Sequence, residues 1–225
     1  MIPRILIDTA RIPDSDEELR LMKRGNEFSI MLGQNELMNS RSSGSEEALA
    51  KLACNRMGTA TAARMLIGGL GMGFSLRAAL AELEPDAEIV VAELIPSVLA
   101  WAKGPMAGVF GDCLADPRVG VRIADVRDVI GASVATFDAI VLDVDNGPEG
   151  LVRAANEALY SAKGLQAARR ALRPRGVLAV WSSGPNPKFS QRLREGGFDV
   201  EEIRIRANAS GGGARHVIWL AGLGG

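Results

Sequence analysis

A chain of 225 residues that is 47% hydrophobic suffices for one large α/β domain or for one domain plus a small appendage, and is too apolar to be disordered. Its net charge of −1 gives no electrostatic basis for nucleic acid as a partner. The single His216 excludes a multi-histidine centre, Cys54 and Cys113 have no metal or redox spacing, and no metal is expected. The opening "MIPRILIDTARIPDSDEE" is charged throughout and unlike a signal peptide, and no apolar run reaches transmembrane length. A soluble, cytoplasmic protein with no membrane partner is expected.

In chain order, "EELRLMKRGNEFSIMLGQNELMNS" holds short alternating segments broken at Arg24-Gly25-Asn26 and Gly33-Gln34-Asn35, which read as hairpin turns. "SGSEEALAKLACNRM" follows as a helix, with Ser45 as N-cap and acidic residues in the first turn. Residues 1–57 are therefore expected to form a small β element plus a helix, and residues 58–225 the main domain. There, "RMLIGG" reads as a buried strand and "FSLRAALAELEP" as a helix stopped by Pro85. "EIVVAEL" is a second strand, and Pro96 opens the helix "PSVLAWAKG". "GVRIAD" and "FDAIVLDVD" are strands, "SAKGLQAARRALRPRG" is a helix, and "VLAVWSS" is a fifth strand. After the helix "NPKFSQRLREGGF" come two strands, "VEEIRIRA" and "ARHVIWLAG", joined by a loop too short for a parallel crossover. The expectation is a Rossmann-like α/β fold: seven strands, mostly parallel, with an antiparallel last strand, preceded by a small N-terminal β element.

Ligands of such sheets bind at the carboxyl ends of the strands, and the first βα turn here is rich in glycine: Gly68, Gly69, Gly71 and Gly73. Glu93 ends the second strand about 20 residues beyond those glycines, where an acid accepts from the two hydroxyls of a ribose. Asp125 ends the third strand. It is a candidate acceptor for an adenine amine beside the Val126 N–H, or alternatively an N-cap for the next helix. Asp143 ends the fourth strand and faces the same crevice. Four consecutive strands each deliver a ligand-type residue, which suits a nucleoside with a charged arm. His216, Trp181 and Trp219 are expected to pack rather than react, and the arginines around residues 169–175 to suit a helix end.

The motifs "LIGGLGMG", "VVAELIPSVLAWA", "VRIADV", "FDAIVLDVDNGP", "LYSAKGL" and "LRPRGVLAVWSS" resemble, in order, class I S-adenosylmethionine-dependent methyltransferases, and more narrowly their spermidine synthase (aminopropyltransferase) branch. The resemblance implies that Gly69, Gly71 and Gly73 wrap the cofactor's arm and ribose. It further implies that Glu93 holds the ribose, Asp125 and Val126 the adenine, and that Asp143 is catalytic. Asp145, Asn146 and Glu46 are the expected contacts to a small-molecule acceptor, and a homodimer is expected. Two departures stand out. Gly71 occupies the position of an acid in the branch's glycine–aspartate–glycine stretch, and Ser45-Glu46-Glu47 replaces its Tyr-His-Glu. The missing acid removes a repulsion against the intact cofactor's carboxylate. The expected function is therefore a methyltransferase using S-adenosyl-L-methionine. The alternatives are an aminopropyltransferase using decarboxylated S-adenosylmethionine to make a polyamine, and a non-catalytic nucleoside-binding module.

Overall fold

The computed structural model describes residues 2–13, 15–58, 60–144, 158–207 and 214–224. Two sheets organise them. The first is an antiparallel meander of β1 (Ile5–Arg11), β2 (Glu18–Arg24), β3 (Glu27–Leu32) and β4 (Asn35–Asn39), in that spatial order. The turns fall at Gly25 and Gly33, as the sequence pattern suggests. Strand β1 was not evident from the sequence. Its Ile5, Leu6 and Ile7 are consecutive and exposed, so no alternation marks it, and a bulge interrupts its pairing between Leu6 and Asp8. The inner face, including Leu19, Leu21, Phe28, Ile30 and Leu32, packs into the core of the main domain.

Helix α1 (Gly44–Met57) leads from one sheet to the other. It begins one residue before Ser45, which therefore does not cap it. The Ser45 hydroxyl instead donates to Glu46 Oε2 at 2.6 Å. Buried Ala50, Ala53 and Cys54 leave α1 smooth enough to lie on α2 (Phe74–Glu82) and on the large sheet.

That sheet comprises β5 (Arg64–Gly68), β6 (Glu88–Glu93), β7 (Val119–Ile123), β8 (Phe137–Leu142), β9 (Leu172–Ser182), β10 (Phe198–Arg206) and β11 (Arg215–Leu223), in the order β10-β11-β9-β8-β5-β6-β7. Strands β5 to β9 run parallel, while β11 pairs antiparallel with both β9 and β10. Both faces are covered, so the central strands are apolar on both sides. Met65, Ile67, Ile89, Val91, Ala139 and Val141 face one core; Leu66, Val90, Ile140 and Leu142 face the other. Helices α3 (Pro96–Lys103) and α4 (Ala107–Phe110) contribute to the first core, α5 (Val126–Gly131), α6 (Ala162–Ala171) and α7 (Pro187–Glu195) to the second. The sequence pattern extends α6 to its Pro-Arg-Gly; the structure ends it at Ala171 and starts β9 at Leu172. Pro174 disfavours helical backbone at Arg173, and the extended Arg173 pairs with Asp138 at 2.7 Å.

Chain order reverses direction across the sheet between β5 and β8, which opens a crevice at their carboxyl ends. The small sheet lies over it. It is tied down at one edge by Trp101 of α3, 2% exposed, whose Nε1–H donates to Asp8 Oδ2 at 2.6 Å.

Candidate active site

Two adjoining cavities occupy the crevice. The larger, about 130 Å³, is floored by Gly69, Gly71, Glu93, Asp125, Val126 and Asp143 and roofed from the small sheet by residues that include Ile30, Leu37 and Met38. The smaller, about 40 Å³, runs from Gly71 and Gly73 past Glu46 and Asp143 to Trp181. Leu37, Met38, Gly71 and Asp143 line both, and so form the neck between them.

The glycine loop is shaped from beneath by Glu93. This carboxylate is 6% exposed; Oε2 accepts from the Leu70 N–H at 2.9 Å and Oε1 from the Ile95 N–H at 2.8 Å. Burial pushes its pKa up, and the backbone N–H groups pull it partly back. Glu93 also borders the larger cavity. At Gly73, φ is +74° and a Cβ would stand 2.5 Å from Phe110 Cε1, so only glycine lets α2 start there. Gly73 borders the smaller cavity alone, whereas Gly69 borders the larger.

Asp125 does what an N-cap does: its side chain accepts from the Arg127 N–H at 2.8 Å, and it pairs with the Arg127 guanidinium at 2.7 Å. It also borders the larger cavity, as does Val126 at the start of α5.

Asp143 follows β8 and reaches the neck. The Ser75 hydroxyl donates to its Oδ2 at 2.9 Å and lies 3.1 Å from the Glu46 carbonyl. Burial first, and the nearby Glu46 second, push the Asp143 pKa up to about 7. Glu46 is itself raised, chiefly by burial. Glu46 and Asp143 thus come together on one cavity from helix α1 and strand β8. Asp145 and Asn146, the other expected acceptor contacts, lie outside the described residues. His216 packs edge-on against Trp181 at 4.7 Å, and burial lowers its pKa. The Trp219 indole N–H donates to Ser190 in the core.

Sequence reasoning missed the roof. Ile30, Leu37 and Met38 carry no motif, because an apolar sheet face looks the same whether it covers a core or a ligand. It also missed Ser75, a helix residue with no spacing signal.

Over 97% of its length the chain superposes on the spermidine synthase of Thermotoga maritima with a TM-score of 0.75 at 17% identity, covering 72% of that chain. The fold is the spermidine synthase fold. A probable spermidine synthase from Corynebacterium glutamicum aligns over the same share of this chain and 79% of its own, with a TM-score of 0.63 and 14% identity. By sequence, the chain is 35% identical over 157 residues to the polyamine aminopropyltransferase of Mycobacterium tuberculosis strain H37Rv, which covers 65% of this chain and 29% of that protein. It is 30% identical over 121 residues to the polyamine aminopropyltransferase of Korarchaeum cryptofilum, covering 54% of this chain and 36% of that one. The chain thus spans about a third of the length of these curated relatives. No protein-family model matches it. No helix among the described residues is long and apolar enough to cross a membrane.

These comparisons correct the expected methyltransferase. The curated relatives are polyamine aminopropyltransferases, and the solved neighbours with the spermidine synthase fold are spermidine synthases. The methyltransferase expectation rested on departures from the branch's motifs, chiefly Gly71 and Ser45-Glu46-Glu47, and these do not outweigh that agreement.

Proposed function

We propose that the chain is an aminopropyltransferase that uses decarboxylated S-adenosylmethionine as donor and a polyamine-type amine as acceptor. The observation that carries this reading is the neck: Asp143 borders both cavities, so one carboxylate reaches a nucleoside-side donor and an acceptor on the Glu46 side. The residues of the larger cavity fit the donor. Glu93 accepts from ribose hydroxyls, Asp125 and Val126 flank the space for a base, and the Gly69–Gly71 backbone leaves room for an arm. In the transfer, the acceptor nitrogen forms a bond to the propyl carbon while that carbon's bond to the sulfonium sulfur breaks. The sulfur keeps the electron pair, and the nitrogen's proton passes to Asp143. Glu46 and Asp143 attract the ammonium, and the apolar roof of Leu37 and Met38 sheds water around the reacting atoms. Incubation with decarboxylated S-adenosylmethionine and 1,4-diaminobutane should release methylthioadenosine and spermidine, detected by mass spectrometry. Absence of both products across a panel of diamines would refute the reading.

A pH dependence follows. Asp143 takes up a proton only when ionised, so turnover should rise with pH along a limb centred near 7. Glu46→Gln removes a like charge, so that limb should move to lower pH; a limb that stays put would exclude Glu46 from the electrostatics of Asp143. Stability runs the opposite way. Because the folded pKa lies above the unfolded one, the Asp143 contribution is complete below the ordinary carboxylate range and is lost as pH rises to about 7.

A further inference from the structure

The neck carries more information than its two ends. Whatever group passes from donor to acceptor must thread between Leu37, Met38, Gly71 and Asp143, which are shared by the two cavities. Over the glycine loop the gap is tight. A Cβ at Gly71 would stand 3.2 Å from Met38 Sδ and 3.7 Å from its Cε, so the space between β4 and the glycine loop is filled by a thioether. Position 71 has a φ of +51°, a conformation that further disfavours a side chain there. Met38 thus stands against the glycine loop, and a branch on an arm that lies along the loop there would push it aside. A carboxylate branch would also meet the like charges of Asp143 and Glu46, both of which line the smaller cavity.

An unbranched propylamine arm has no such group. An arm bearing a carboxylate does, and at this constriction the carboxylate would have to displace Met38 and stand beside Asp143, which lines the same neck. We propose that Met38 is a specificity-determining residue that, by closing over Gly71, admits an unbranched donor arm and rejects a carboxylated one. The inference rests on the aminopropyltransferase reading and assigns donor choice within it to a side chain of the small sheet. Discrimination here is by volume, supplied from across the cleft rather than from the glycine loop.

The test is calorimetric titration of the wild type, Met38→Ala and Met38→Leu with intact and with decarboxylated S-adenosylmethionine. Met38→Ala should improve affinity for the intact nucleoside relative to the decarboxylated one by about tenfold or more. Met38→Leu keeps the bulk and should keep the wild-type ratio. If the alanine variant does not fold, Met38→Val makes a smaller truncation and should shift the ratio in the same direction. An unchanged ratio in a folded truncation, with both nucleosides still bound, overturns the role of Met38. So does a leucine variant that shifts as far as alanine. A wild type that binds neither nucleoside instead refutes the aminopropyltransferase reading itself, so the two failures are distinct.

Discussion

Asp143→Asn is expected to lower the rate of aminopropyl transfer by about 100-fold or more, the scale of a positioned acid–base group. The substitution keeps the size of the side chain and leaves an oxygen to accept from Ser75, so the neck should hold its shape. It removes the carboxylate that takes the proton from the incoming nitrogen in the proposed transfer. Donor affinity should fall far less, because the larger cavity also draws on Glu93, Asp125 and Val126. Three measurements on this variant decide the matter: melting temperature, donor affinity and single-turnover rate. A destabilised protein that turns over normally would make Asp143 a structural carboxylate and end its catalytic assignment.

Glu93→Ala should damage both fold and binding. Two backbone N–H groups, those of Leu70 and Ile95, lose their acceptor inside the protein. Each such loss costs about 1–3 kcal/mol. The glycine loop then loses the anchor that sets its path, and donor affinity should drop by at least about tenfold beyond any loss of folded protein. Glu93→Gln isolates the second effect, since it retains one accepting oxygen and nearly the same volume. If a folded Glu93→Gln variant binds the donor as well as wild type, Glu93 serves only to brace the loop and leaves the ribose to other groups.

The sheet was legible because its signals are local. Strands such as Met65–Ile67 and Ile140–Leu142 are apolar runs between turn residues, and Pro96 and Asn186 mark helix starts that the structure keeps. The carboxylates were legible because they end strands in a fold where strand ends meet the ligand; Glu93, Asp125 and Asp143 all border the larger cavity. Other features were set by tertiary context. Strand β1 has no alternation, and β9 begins five residues before its apolar run because Arg173 is drawn out towards Asp138. The hydroxyl of Ser45 turns to Glu46 rather than to the backbone, and the helix starts one residue earlier, at Gly44. Asp125 could be read as cap or as ligand; its geometry includes the cap and the Arg127 ion pair while leaving it on the cavity wall. The position of Met38 opposite Gly71 joins residues on different sheets, and no pattern along the chain encodes such a pairing.

The hydrogen bond between Trp101 and Asp8 bears on how long a ligand stays. It fastens β1, the edge strand of the roof, to the helix after β6, beside a cavity whose floor and roof come from different sheets. A nucleoside held between them bridges the same two layers that this bond joins. Lifting the roof then requires breaking the bond and the ligand's contacts together, so each lengthens the lifetime of the other. In the proposed site, the tie would therefore act on residence time.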